Sequence, residues 1–132
     1  MAGDGGILSR CKTKMKYLII GCLCYVLAQT VAWFQTNGLL VSEWIASNLI
    51  LTCLVCGPVV AYLFALGTQF IYGYTDAIWP ARFLGFASGY IVFIPLAWFF
   101  FNESPFTLKN LLSFGLCCTL VAVQLLMTDD SV

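Results

Sequence analysis

Four unbroken apolar runs, at residues 17–34, 46–70, 83–101 and 108–127, alternate with short polar connectors along the chain. Each approaches the roughly 20 residues that a helix needs to cross a hydrocarbon core at about 1.5 Å of rise per residue. A closed β-barrel could also pair its backbone in lipid, but barrel strands are alternating segments of about ten residues, and none of these runs has a period of two. The pattern therefore predicts an all-α membrane protein, with four transmembrane helices in a compact bundle. Gln35-Thr36-Asn37-Gly38 reads as the turn that ends the first span. Pro80 suits the first turn of the third. Gly57-Pro58 should kink the second span, where proline removes a donor and crowds the preceding turn, and Pro95 should loosen the outer third of span three.

Composition turns the pattern into a statement about solvent. With 61% hydrophobic residues, 9% charged residues and a mean hydropathy of +0.94, the chain has too little polar surface to coat a water-soluble globule. The lipid bilayer is its expected surroundings, as an integral, multi-pass protein of a plasma, bacterial inner or organelle membrane. No Gly, Ser or Pro linker divides it. The organisation expected is a basic cytoplasmic tail at 1–16, one four-helix transmembrane domain at 17–127, and an acidic tail at 128–132.

The net charge is zero, which removes support for nucleic acid as a partner. The placement of charge says more. Arg10, Lys12, Lys14 and Lys16 precede the first span, Arg82 ends the connector at 72–82, and Lys109 falls on the other side. Under the positive-inside rule both termini and that connector face the cytoplasm, while the connectors around Asn37 and Asn102 face out. The first span could imitate a signal peptide, but no small-x-small cleavage site follows it, so a permanent helix is expected. Trp33, Trp44, Trp79 and Trp98, with Tyr17, Tyr72 and Tyr74, fall near the expected ends of the runs, where amphipathic rings settle at headgroup level.

Candidate chemistry narrows quickly. Six of the seven cysteines lie inside expected spans, and the chain has no histidine. Cys53 and Cys56 would share one helical face, but no further ligand completes a zinc site, so these thiols read as packing residues and neither metal nor cofactor is expected. A Ser-His or Cys-His nucleophile is impossible, and no intramembrane carboxylate pair exists for acid–base work. The chain is not expected to be an enzyme.

Polar and small residues within the spans remain. Gln29, Gln69 and Gln124 need partners, because an unsatisfied amide in hydrocarbon costs several kcal/mol. For Gln29 two readings stand, structural glue between helices and a substrate-lining group. Arg82 either snorkels to the cytoplasmic interface, beside Asp76, or guards the mouth of a pathway. Ala81, Gly85 and Gly89, four residues apart, form a small-residue face that lets another helix approach, in the same chain or another. Asn110, Ser113, Cys117, Val121 and Gln124 make a mildly polar seam on span four that wants a protein neighbour. So small a bundle buries little of itself, which predicts a homo- or hetero-oligomer with another membrane protein.

Leu27-Ala28-Gln29 in span one, Ala77-Ile78-Trp79 before span three, Trp98-Phe99-Phe100 closing it, and Asn102-Glu103-Ser104-Pro105 before a fourth helix rich in small residues follow one another in an order that resembles the small four-helix members of the drug/metabolite transporter superfamily. These include the small multidrug resistance exporters and the paired subunits that flip lipid-linked aminosugars. The resemblance implies transport by alternating access. In the exporters a glutamate follows Leu-Ala and exchanges protons for drug; here the position is Gln29, an amide with no titratable proton, so proton coupling through span one is not expected. The basic bias also favours one orientation over antiparallel pairing of inverted copies.

Two functions are expected as alternatives. In the first, a transporter-like subunit moves or helps to move a small amphipathic or lipid-linked molecule, Gln29 hydrogen-bonds the substrate, Trp33 or Trp79 stacks on it, and Arg82 guards the cytoplasmic entrance. In the second, a non-transporting structural or regulatory subunit docks on a larger complex through Gly85 and Gly89.

Overall fold

The computed structural model describes residues 4–126, with side chains described from 14 to 123. It is all-α, and among the described residues there is no strand. Helix α1 runs Asp4–Asn37, a 3-10 turn covers Gly38–Leu40, a short α2 covers Glu43–Ser47, and α3 (Leu49–Thr75), α4 (Ile78–Phe101) and α5 (Leu108–Leu126) follow. Three stretches are long and apolar enough to cross a membrane: Lys14–Leu40, Leu49–Thr75 and Ile78–Phe101. The fourth expected crossing is apolar over the shorter stretch Leu108–Val123. Residues 127–132, with the acidic tail, lie outside the described residues, as do the side chains of Arg10, Cys11, Lys12 and Gln124.

The connectors differ from the expected ones in length. Helix α1 begins at Asp4, so the basic segment from there to Lys16 is helical backbone continuous with the first apolar run. Trp44 sits in α2 rather than opening the second span, and is 61% exposed. The connector expected at 72–82 shrinks to Asp76 and Ala77, because the helical pattern continues on both sides. Asp76 (φ 55°) and Asn102 (φ 56°) end α3 and α4 in the left-handed conformation. Their N–H groups return to the carbonyls of Tyr72 at 2.8 Å and Trp98 at 3.1 Å. Short polar side chains tolerate that backbone better than apolar ones, so each ends a helix and frees the chain to reverse. Helix α3 remains one helix through Pro58, and α4 through Pro95.

Helix α1 packs along α3 and α4, α3 also meets α4, and α5 packs chiefly against α4. The core sits where the first three long helices converge, on Tyr25, Ile71 and Ala81, with Leu18, Cys22, Phe64 and Leu84 around them. Glycine permits this convergence. A Cβ on Gly21 would stand 2.6 Å from Ile71 Cδ1 and 3.2 Å from the Gly67 carbonyl; one on Gly67 would stand 2.8 Å from Tyr25 Cδ1 and 3.2 Å from the Gly21 carbonyl. The two backbones therefore touch at a reciprocal glycine crossing, and each helix lays a larger side chain over the other's glycine. Between helices in lipid such close packing supplies the attraction that the hydrophobic effect does not.

Candidate functional site

Polar side chains inside apolar helices must find one another or water, and here Tyr25, Gln29, Thr68 and Arg82 meet at one cavity. Its volume is about 340 Å³ and it lies between α1, α3 and α4. Tyr25 and Gln29 come from one face of α1, four residues apart, and Phe64 and Thr68 from α3 at the same spacing. Helix α4 contributes Gly85 and a rim of Ile78, Arg82 and Phe86, all three of which are exposed.

Each polar group has a defined partner. Gln29 Nε2 donates to the Gly85 carbonyl at 2.9 Å, joining α1 to α4. That carbonyl also accepts from Ser88 Oγ at 2.7 Å. Gly89 is the seat of the carboxamide: a Cβ there would lie 3.1 Å from Gln29 Nε2. With one amide N–H committed to a carbonyl, Oε1 is left as an acceptor and the second N–H as a donor. Tyr25 Oη lies 2.9 Å from Thr68 Oγ1, joining α1 to α3. Thr68 Oγ1 donates in turn to the Phe64 carbonyl at 2.9 Å. With that proton used, Tyr25 must be the donor to Thr68, so both hydroxyl protons are taken and lone pairs remain. The Tyr25 ring lies against Phe64, with centroids 5.7 Å apart, and over Gly67 and Gly85. Arg82 sits at the rim with its guanidinium carbon 5.2 Å from the centroid of Phe86, within cation–π range.

The structure thus brings Gln29 and Arg82 to one cavity and leaves the two candidate tryptophans elsewhere. Trp33, one turn beyond Gln29 on α1, is buried among aromatic rings, 5.3 Å from Phe100, 5.2 Å from Phe34 and 6.1 Å from Phe101. Its Nε1 is buried without a hydrogen-bond partner. Trp79 is 64% exposed and lies beside Phe83 at 6.2 Å. The Gly85 and Gly89 face meets α1 of the same chain. Asn110 and Ser113 line a second cleft of about 250 Å³ with Tyr90, Phe93 and Glu103. Cys117 and Val121 line a third, of about 290 Å³, with Tyr90 and Ile91. The part of the α5 seam with described side chains therefore faces α4. Gln69 is exposed on α3.

Tyr25 and Thr68 were not among the sequence candidates. The signal for Tyr25 was its position: unlike Tyr17 and Tyr72 it falls deep in a span, where a phenol must be hydrogen-bonded. Thr68 gave no such signal, because a threonine within a helix can satisfy itself on the preceding turn. The six cysteines with described side chains are free thiols. Among the described residues no group of three or more Cys, Asp or Glu side chains could hold a metal ion. No family model, curated protein or solved structure matches this chain.

Proposed function

We propose that the protein is a membrane transport subunit of the small four-helix, drug/metabolite transporter-like kind, which moves or helps to move a small amphipathic molecule through the cavity between α1, α3 and α4. The observation that carries this reading is the cavity itself: three apolar helices bring Tyr25, Gln29, Thr68 and Arg82 around about 340 Å³ of space. Unlike the clefts between α4 and α5, this space draws polar side chains from three helices to one place. Sites for small molecules are of this kind, mostly apolar with a few convergent polar groups.

In this reading α5 is the fourth crossing and both termini are cytoplasmic, in accord with the basic residues ahead of α1 and at Arg82. The rim at Arg82 is then the cytoplasmic mouth, and Gln29 lies deeper. The Trp33, Phe34 and Phe100 cluster closes the way beyond it. Alternating access requires that cluster to part. Gln29 carries no exchangeable charge, so α1 contributes binding rather than proton coupling. Association uses α5, which rests chiefly on α4 and exposes Leu111, Leu112, Leu116 and Leu120. Docking on a larger complex through Gly85 and Gly89 has less support, because α1 occupies that face.

Flux through liposomes tests the reading. Vesicles containing the full chain are loaded with two membrane-impermeant aromatic ions, naphthalene-2-sulfonate and benzyltrimethylammonium. At least one should escape faster than from protein-free vesicles, and Gly85→Leu, which fills the cavity, or Gln29→Leu, which strips its acceptor, should slow that escape. Retention of both ions at the protein-free level by a correctly folded preparation would refute transport.

A further inference from the structure

We infer that the cavity between α1, α3 and α4 takes a small aromatic monocarboxylate bearing an N–H or O–H donor, with its carboxylate on Arg82 and its donor on Gln29 Oε1. The inference rests on the transport reading and names the ligand of that site.

Charge is the first argument. Among the described residues Arg82 is the one cationic side chain in the cavity lining, and no carboxylate lines it. A guanidinium is charged at any physiological pH, and its flat fork of N–H groups matches a carboxylate. Low-dielectric walls strengthen that attraction and equally strengthen the repulsion of a ligand cation. Stacking on Phe86 holds the guanidinium at the rim while leaving its edge N–H groups free to donate.

The second argument is the order of donors and acceptors. The Thr68 proton goes to the Phe64 carbonyl, the Tyr25 proton to Thr68, and the Gln29 amide to the Gly85 carbonyl. What remains deeper than Arg82 is mostly acceptor, the lone pairs of Gln29 Oε1 and Tyr25 Oη, beside the second N–H of the Gln29 amide. A second anionic group there would meet two oxygens with lone pairs against one N–H, whereas a neutral N–H or O–H donor would be satisfied by either oxygen. Donors therefore dominate at the mouth and acceptors at the base.

Size and walls set the rest. Gln29 is bonded at Gly85, three residues beyond Arg82 on α4, so the two polar ends are separated on the order of 5 Å along the helix axis at the usual rise. Phe64, Phe86, Ile78 and Ala81 give the cavity its apolar walls. A flat ring with a short acid arm spans it, and about 340 Å³ is near the lower end for small-molecule sites.

Calorimetry on the full chain in lipid nanodiscs, with empty nanodiscs to subtract partitioning, distinguishes the terms. The four probes are indole-3-acetate, its neutral amide indole-3-acetamide, naphthalene-1-acetate, which keeps the charge but lacks the ring donor, and tryptamine, which keeps the donor but is cationic. Indole-3-acetate should bind tightest and tryptamine weakest. Arg82→Gln should weaken indole-3-acetate by about tenfold or more, as expected for loss of a charge-assisted pair, and weaken indole-3-acetamide, which loses only a neutral hydrogen bond, by much less. Arg82→Lys should restore part of the loss. Gln29→Leu should abolish the preference for indole-3-acetate over naphthalene-1-acetate. Tryptamine binding as tightly as the acid, or an Arg82→Gln variant that keeps its preference for the anion, overturns the ligand assignment. If tryptamine wins while Gly85→Leu still blocks binding and flux, the assignment fails and the transport reading stands. If none of the four binds and the liposomes show no flux, both fall.

Discussion

The crossing of α1 with α3 and the contact of α4 with α5 are built on opposite rules. At the first, Gly21 and Gly67 let the backbones meet, and Tyr25 and Ile71 fill the space above them, with 1% and 0% of their surface exposed. At the second, clefts of about 250 and 290 Å³, both lined by Tyr90, remain between the helices. Gly115 of α5 would meet nothing within 4 Å if it gained a Cβ. Without a hydrophobic driving force between helices in lipid, closeness of packing decides which pairs are rigid. Helices α1 and α3 are therefore the tightest pair, while the seam of α5 on α4 is the more open one.

Substitutions at the glycines test this contrast most sharply. Gly21→Leu should have the largest effect, because its Cβ meets Ile71 at 2.6 Å and the backbone of Gly67 at 3.2 Å, and the latter cannot rotate away. A loss of about 3 kcal/mol or more is expected from overpacking, read as collapse of monodisperse yield and thermal stability in mild detergent. Wild-type melting of this variant would show that the α1–α3 crossing is not close. Gly89→Ala is milder, since its Cβ would press the Gln29 carboxamide at 3.1 Å and weaken the bond to Gly85. A loss of about 1 kcal/mol is expected. In the Gln29→Ala background the same change should be nearly neutral, and this non-additivity is the measurement that identifies their contact.

Thr68→Val removes the acceptor of the Tyr25 hydroxyl without much change of shape. It should cost about 1 kcal/mol, with the loss absent in a Tyr25→Phe background. Trp33→Phe removes a buried N–H that has no partner while keeping an aromatic ring beside Phe34 and Phe100. Loss of ring area and relief of the orphaned donor oppose one another, so the melting temperature should move little. A large fall would mean that Nε1 has an acceptor in the folded protein. Gly115→Ala closes the series on the loose side: it should leave stability unchanged or raise it by up to about 1 kcal/mol through helix propensity. A substantial loss there would place a close neighbour against α5.

Individual residues show how far the site could be read beforehand. Gln29 and Arg82 stood out because lipid makes a polar side chain conspicuous, and the structure brings both to one cavity. Trp33 and Trp79 were legible only as rings near helix ends. Which ring lies inside, among Phe34 and Phe100, and which faces outward depends on the rotation of α1 and α4 about their axes. The small-residue face of α4 announced a close contact without naming its partner, and α1 is that partner through Tyr25 and Gln29. Gly21 and Gly67 carried no comparable signal, since a single glycine in an apolar run marks a close approach only once its opposite number is known.

Hydropathy by itself determined that the chain is helical and that its long apolar helices suit a bilayer, because each backbone amide in hydrocarbon must be paired within its own segment. That requirement is local and can be read one helix at a time. Only the tertiary structure decided which glycines meet, where Tyr25 lodges, and which polar groups share a cavity. Those outcomes depend on the relative rotation and depth of whole helices, and apolar faces of nearly uniform hydropathy leave both to the packing of individual side chains.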